Sequence, residues 1–143
     1  MEHALVALTL IVPTYHRSGV LVRCLESIQQ QTLTEWELIV VDNSPNGELR
    51  GLIEEFNRGA RIAARYVAEP NLGLHNARHA GARAATGDVL VFTDDDASFD
   101  PDWLAAYARC FATHPEMAAA GGPSLPVWDA HPPAWLTTLI AVD

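Results

Sequence analysis

The chain has 143 residues and a formal net charge of −9, from 9 basic and 18 acidic side chains. Its length suits one domain with a core of its own, and its acidic balance argues against nucleic acid or an anionic membrane as a partner. Every basic residue is an arginine. The absence of lysine excludes a Walker-type phosphate loop, a pyridoxal-phosphate Schiff base and any lysine nucleophile. A phosphate would have to be bound by arginine, backbone amides or a metal.

Neither the cysteines nor the apolar stretches point to a secreted or membrane-spanning chain. Cys24 and Cys110 are too few for a disulfide framework, which favours a reduced, cytosolic setting. The apolar run from Ala4 ends after Val12 at a proline, so we interpret it as a buried strand rather than a secretory signal. No segment is long enough to predict a transmembrane helix.

Strand and helix patterns alternate along the chain. Apolar or alternating runs predict strands over 5–12, 36–41, 62–68 and 89–93, and a fifth over 117–120. Helical spacing of apolar residues predicts a helix capped by Ser18, helices over 48–57 and 74–85, and one that Asp100 caps and that ends near Thr113. This order predicts a three-layer α/β/α sandwich with a mostly parallel sheet.

Three polar loops follow predicted strands, at residues 13–17, 42–44 and 94–96. Because ligands of open parallel sheets bind at the carboxyl ends of the strands, we expect these loops to form one site. None of them contains the glycine-rich fingerprint of a dinucleotide site, which argues against a nicotinamide or flavin cofactor.

Three consecutive aspartates, Asp94, Asp95 and Asp96, carry the sharpest chemical signal. Six of the 18 acidic residues lie between Asp88 and Asp102, with no arginine among them. Adjacent carboxylates repel one another unless a positive charge lies between them. A hard divalent cation, Mg²⁺ or Mn²⁺, suits such oxygen ligands and is often shared with substrate phosphates. A solvated acidic turn is the alternative interpretation.

Four blocks of residues between 5 and 120 carry a family resemblance. They are Val12-Pro13-Thr14-Tyr15, then Val40-Val41-Asp42-Asn43-Ser44, then Asn71-Leu72-Gly73 with Ala77-Arg78 and Gly81, and finally Asp94-Asp95-Asp96 with Pro101 and Trp103-Leu104. In order and spacing they resemble the family 2 glycosyltransferases of GT-A fold. The resemblance implies a metal-dependent transferase that uses a nucleoside-diphosphate sugar, with UDP as the expected nucleotide.

On the base side of the donor, the resemblance implies roles for four residues. Pro13, Thr14 and Tyr15 match the loop that packs on the nucleotide base, and Asp42 matches the acid that accepts a hydrogen bond from it. The alternative for residues 42–44 is an Asx turn that simply follows a strand.

On the phosphate side, the resemblance implies roles for four more residues. Arg78 matches an arginine of the donor pocket, and its alternative is a solvated helix residue. Asp94 and Asp95 fall where the family contacts the ribose. Asp96, with Asp94, falls where the family coordinates the Mn²⁺ or Mg²⁺ that bridges the diphosphate. A metal there would stabilise the diphosphate as it leaves.

The pattern breaks at the catalytic base. Inverting members of the family need a general base to deprotonate the acceptor, a saccharide or a lipid-linked group, and it normally lies in a later Glu-Asp motif that this chain lacks. Only Asp129 and Asp143 follow Glu116 among the acids, and neither has a matching context. We therefore interpret residues 1–143 as one domain, with a donor-binding core over 1–120 and the truncated start of an acceptor side over 121–143.

Two alternative functions stay open at this stage. Asp94 and Asp96, after an apolar strand, also resemble the nucleophile loop of haloacid-dehalogenase-type phosphatases, but that family needs a lysine that this chain lacks. A non-catalytic nucleotide-sugar-binding module would share every donor-site residue with the transferase.

Overall fold

A computed structural model describes residues 6–136 of the chain. Strands and helices alternate through it, as the sequence pattern predicts. In chain order they are β1 (Leu8–Thr14), α1 (Ser18–Ile28), β2 (Glu37–Asp42), α2 (Arg50–Asn57), β3 (Ala64–Ala68), α3 (Leu74–Ala84), β4 (Val89–Phe92) and α4 (Trp103–Thr113).

The four strands form one parallel sheet in the order β3-β2-β1-β4. Chain order runs outward from β1 through β2 to β3, and then returns across β1 to add β4 on its other side. The strand order therefore reverses between β1 and β4, and ligands of open α/β sheets bind in the crevice at such a point.

Alternation of side chains along β1 and β2 builds a core on each face of the sheet. Leu10 and Leu38 belong to the larger core, which contains the buried residues of α1, α2 and α4. Ile11 and Ile39 belong to the smaller core on the opposite face, beneath α3. The predicted three-layer sandwich is confirmed. No helix within residues 6–136 is long and apolar enough to cross a membrane.

Helix α3 packs directly on the sheet through an inner face that is made of small residues. Ala77 and Gly81 are both buried there. A Cβ atom added to Gly81 would lie 2.4 Å from Ile11 Cγ2, closer than carbon atoms can approach. The glycine therefore sets the depth at which α3 packs, and with it the height of the helix above the sheet edge.

Three local predictions were wrong. Residues 117–120 form no strand in the described chain, because their largely exposed, mostly alanine side chains bury little area and β4 pairs with β1 alone. Ser18 is the first residue of α1 rather than its cap; Arg17 holds the cap position, without a side-chain cap bond. Asp102 rather than Asp100 precedes α4, because Asp100 Oδ1 instead accepts the Asp102 amide in a turn.

Candidate donor-binding site

A cavity of about 430 Å³ opens at the carboxyl edge of the sheet, where the strand order reverses. Its walls come from the loop after β1, the turn after β2, the start of α3 and the turn after β4. The lining residues are Pro13, Thr14, Tyr15, Arg17, Asn43, Leu72, Gly73, Leu74, Ala77, Asp94, Asp95 and Asp96. The predicted convergence of three loops on one site is thus what the structure contains.

The aspartate turn, Asp94–Asp96, presents its three carboxylates in different ways. The side chain of Asp95 is 5% exposed, whereas those of Asp94 and Asp96 are 58% and 54% exposed. Asp95 accepts a hydrogen bond from Thr14 Oγ1 at 2.8 Å, which ties the turn to the end of β1. Asp95 therefore anchors the turn, and its two neighbours face solvent at the cavity.

Two arginines from other parts of the chain neutralise the aspartate turn. Arg17 donates from one nitrogen to Asp95 Oδ1 at 2.9 Å and from the other to Asp96 Oδ2 at 3.1 Å. The bond to Asp96, followed by the charge of Asp95, raises the pKa of Arg17 above its ordinary value. Arg78 donates to Asp94 Oδ1 at 3.0 Å. The positive charge that the carboxylates require is supplied, in this conformation, by guanidinium groups.

The loop that carries Arg17 is fixed by its neighbour His16. His16 has a φ of 52°, in the left-handed region that few non-glycine residues adopt, although histidine does so more often than most. Its Nδ1 lies 2.6 Å from Glu48 Oε2, and its ring meets the edge of Tyr15 at 4.2 Å between centroids. These contacts hold the backbone turn that directs Arg17 toward the aspartates.

Arg78 has donor capacity to spare. Its Nε is buried and has no hydrogen-bond partner within residues 6–136, while its side chain as a whole is 39% exposed. Buried donors in proteins are nearly always paired, so an unpaired one calls for an explanation such as a missing ligand. Arg78 does not itself line the cavity but reaches it through Asp94.

Asp42 is enclosed by donors from its own chain. It is 0% exposed and accepts bonds from the Ser44 amide at 2.9 Å, Ser44 Oγ at 2.5 Å, the Leu49 amide at 3.0 Å and Tyr66 Oη at 2.9 Å. Burial alone would raise the pKa of Asp42, but these bonds outweigh it and lower the pKa. The Asx turn that the sequence left as an alternative does form. A hydrogen bond from a nucleotide base to Asp42 would have to replace one of these donors.

Asn43 links the turn after β2 to the wall of the cavity. Its Nδ2 donates to Glu69 O at 2.7 Å and to Asn71 O at 2.9 Å, and its Oδ1 accepts from the Gly73 amide at 2.9 Å. Gly73 has a φ of 140°, which a side chain would strain. Asn43 thereby positions Leu72 and Gly73, two residues of the cavity wall.

Sequence reasoning placed Arg17 in a candidate loop but gave it no role, and it gave Asn43 no role of its own. A signal for Arg17 existed, because it is the one basic residue in the three polar loops, which also contain four aspartates. No comparable signal existed for Asn43, whose partners lie 26 to 30 positions along the chain.

The carboxylate oxygens of the aspartate turn are the kind of ligand that a hard divalent cation prefers. Among the residues that the structure describes, no group of three His, Cys, Asp or Glu side chains is arranged to hold a metal ion. Mg²⁺ and similar ions, however, are commonly held by one or two carboxylates together with substrate phosphates. Asp94 and Asp96 are exposed at the cavity and fit that pattern.

The fold and site together define a parallel α/β protein with a cavity at its topological switch point that is lined by three carboxylates and one arginine. The sequence model of glycosyl transferase family 2 matches residues 9–140, and the chain belongs to that family. This membership favours sugar transfer over the phosphatase alternative.

Named relatives agree with the family. The chain is 31% identical over 108 residues to a glucosyl-dolichyl phosphate glucuronosyltransferase of Haloferax volcanii, which covers 76% of the chain and 34% of the relative. It is 32% identical over 109 residues to a PGL/p-HBAD biosynthesis glycosyltransferase of Mycobacterium tuberculosis, covering 74% of the chain and 42% of the relative. The chain thus spans less than half the length of these relatives.

Solved structures support the GT-A fold. One match is a mannosyltransferase from Pyrobaculum calidifontis, solved in complex with GDP-Man and Mn²⁺. The aligned region covers 73% of this chain and 32% of the mannosyltransferase chain, with 30% sequence identity and a TM-score of 0.65. Another match is S. aureus TarS 1-349, solved in complex with UDP-GlcNAc. The aligned region covers 85% of this chain and 37% of the TarS chain, with 22% sequence identity and a TM-score of 0.65.

Proposed function

We propose that this chain is the donor-binding part of an inverting glycosyltransferase that uses a nucleoside-diphosphate sugar, with UDP as the nucleotide, and Mn²⁺ or Mg²⁺. The observation that carries the proposal is the cavity itself, where two exposed carboxylates and Arg17 line the switch point of the sheet and Arg78 pairs with one of the carboxylates. The donor-binding core would extend to residue 120. The acceptor, a saccharide or a lipid-linked group of cell-surface polysaccharide synthesis, would be met at the cytoplasmic face of the membrane.

The wall of the cavity at the end of β1 would bind the nucleotide base. Pro13, Thr14 and Tyr15 line it, and Tyr15 is 43% exposed, so an aromatic face is available to a planar base. Asp42 stays the expected acceptor of a hydrogen bond from the base, which would replace the bond from the Ser44 hydroxyl, a group that can rotate away without moving the backbone. The rigid Asn43 bridge would keep the opposite wall in place.

Phosphate and ribose recognition falls to the side after β4. Asp94 and Asp95 would contact the ribose, and Asp96, with Asp94, would hold the metal. When bound, the metal would neutralise the diphosphate and stabilise it as it leaves. Arg78 stays the expected arginine of the donor pocket: it contacts the cavity through Asp94, and it would be free to bond the diphosphate once Asp94 held the metal. No residue of the chain is assigned as the base that deprotonates the acceptor.

Isothermal calorimetry of UDP, with and without Mn²⁺, tests this proposal on wild type and on Asp96→Asn. We expect binding that requires Mn²⁺ and that weakens at least about tenfold in the variant, since a lost charge-assisted contact commonly costs more than 1.4 kcal/mol. Asp88→Asn is the matched control: it removes a charge from the same acidic stretch, but at the amino end of β4, away from the cavity.

Two outcomes would contradict parts of the proposal. UDP binding that ignores both Mn²⁺ and Asp96→Asn would exclude the metal bridge. The two solved structures contain nucleotide sugars with different bases, uracil and guanine, so GDP is titrated in parallel. Tighter binding of GDP than of UDP would overturn the choice of nucleotide. Transfer or donor hydrolysis by the chain would exclude the non-catalytic module.

A further inference from the structure

We propose that Arg17 pairs with the Asp96 carboxylate that the divalent cation would need, and that metal binding displaces Arg17 toward the diphosphate of the donor. The inference deepens the proposed function and rests on it. It assigns to one arginine two alternative partners, the carboxylates when the site holds no metal and the phosphates when it does.

The contacts of Arg17 carry the first step. Its two terminal nitrogens lie 2.9 Å from a carboxylate oxygen of Asp95 and 3.1 Å from one of Asp96, so a single guanidinium joins two adjacent carboxylates. A divalent cation held by Asp94 and Asp96 would need the Asp96 carboxylate with which Arg17 pairs, and it would bring a second positive charge close to that of Arg17. Arg17 and the metal therefore compete for one carboxylate.

The freedom of Arg17 carries the second step. Its side chain is 49% exposed and lines the cavity, so it can leave the carboxylates without breaking the core. Asp95 would keep its bond from Thr14 after the departure, so the buried carboxylate would not be left without a donor. A guanidinium fork also matches phosphate oxygens as well as it matches carboxylates. The arriving diphosphate would therefore give the displaced arginine a second partner.

If Arg17 competes with the metal, only molecules in which Arg17 has left the carboxylates can bind it. The apparent metal affinity is then the intrinsic affinity multiplied by the fraction of such molecules. Binding of Mn²⁺ alone, followed by electron paramagnetic resonance of the free ion, measures this directly. We expect Arg17→Gln to bind Mn²⁺ alone about tenfold more tightly than wild type, and to bind UDP more weakly once Mn²⁺ is saturating.

Two further variants keep the test sharp. Arg23→Gln removes the same charge from an exposed position on α1 and should leave both affinities unchanged. Arg17→Lys keeps the charge but loses the fork, so we expect Mn²⁺ affinity close to wild type and weaker UDP binding. Thermal melts of each variant identify any that fail to fold, and if Arg17→Gln is one of them, Arg17→Met, which also removes the charge, replaces it in the Mn²⁺ titration.

The results separate this proposal from the one on which it rests. Equal Mn²⁺ affinity in wild type and Arg17→Gln, with Mn²⁺-dependent UDP binding in both, would overturn the exchange and leave the proposed function standing. Absence of Mn²⁺ and UDP binding from all variants would overturn both. Tighter Mn²⁺ binding in Arg17→Gln together with unchanged UDP binding would support the competition and overturn the role at the phosphate.

Discussion

Two acidic turns follow parallel strands at the same edge of the sheet, and they are built in opposite ways. The turn after β2 buries Asp42 among four donors, two from backbone amides and two from hydroxyl groups. The turn after β4 leaves Asp94 and Asp96 more than half exposed, each balanced by an arginine from another element. The donors that close the first turn are held by the fold, whereas the second turn depends on side chains that a ligand or metal can displace.

The contrast shows that an aspartate after a strand does not by itself indicate a binding role. What differs is the kind of partner. Backbone amides and a packed tyrosine cannot leave without disturbing the fold, while a half-exposed arginine can exchange one anion for another. We therefore expect substitutions in the first turn to change stability, and substitutions in the second to change ligand binding.

The largest effect is expected from Asp42→Asn. An amide at this position would turn its own donor toward the Leu49 amide or the Tyr66 hydroxyl, leaving buried donors unpaired at a cost of about 3 kcal/mol in the free energy of unfolding. Urea denaturation measures the change. Asp96→Asn, the same substitution in the open turn, is the control, and equal destabilisation by both variants would remove the distinction between the turns.

Asn43→Asp is expected to have the next largest effect. A carboxylate would face the carbonyl oxygens of Glu69 and Asn71, to which the native amide donates, at a cost of about 2 kcal/mol. UDP affinity should fall as well, because loss of the bond to Asn71 O would loosen the segment that leads into the cavity wall, although the carboxylate could still accept from the Gly73 amide. Asn76→Asp is the matched control. The bonds from Asn76 to neighbouring carbonyl oxygens are exposed and 3.2 Å long, so we expect a smaller loss of stability from this variant. If the two variants were equally stable, Asn43 would not be the bridge that we describe.

A smaller effect, with a pH signature, is expected from Tyr66→Phe. Loss of the bond from Tyr66 Oη to Asp42 should cost about 1 kcal/mol at neutral pH. Burial, then the bond to Asp42, raises the pKa of Tyr66 from 10.0 to about 12. The wild-type chain should therefore lose stability between pH 10 and 12, where the unfolded tyrosine ionises first, and the variant should lack that part of the loss.

Asp42 gives the complementary behaviour in acid. Since its pKa is lowered on folding, its contribution is present above its unfolded value of about 3.8 and is lost as the pH falls through the folded value. Tyr66→Phe removes one of the bonds that lower this pKa, so acid unfolding of the variant should begin at a higher pH. If the free energy of unfolding of the variant fell in acid and in alkali at the same pH values as that of wild type, Tyr66 would not be coupled to Asp42.

The sequence predicts the sheet, the order of its layers and the edge where the polar loops meet, because those follow from local patterns of apolar residues. It does not predict what neutralises the aspartates, since Arg17 lies 78 and 79 positions away from Asp95 and Asp96 and no local pattern joins them. Repulsion among the three carboxylates predicts a positive charge beside them, and the structure places two guanidinium groups there.

The turn after β2 shows the same limit from the other side. The Asx turn within residues 42–44 follows from short-range chemistry and is predictable from the sequence. The enclosure of Asp42 depends on Tyr66, 24 positions further on, and on the first residues before α2. Local patterns thus locate a polar turn, while its role is decided by distant partners.

The smallest effect on stability, and the clearest on binding, is expected from Asp94→Asn in the open turn. The carboxylate is 58% exposed and pairs with one arginine, and exposed ion pairs contribute little to folding. Its melting temperature should therefore match that of wild type, while UDP binding in the presence of Mn²⁺ should weaken, because Asp94 is expected to contact both ribose and metal. Asp88→Asn again serves as the control. A variant that melts early but binds UDP normally would place Asp94 with the structural carboxylates, and the two turns would then be alike.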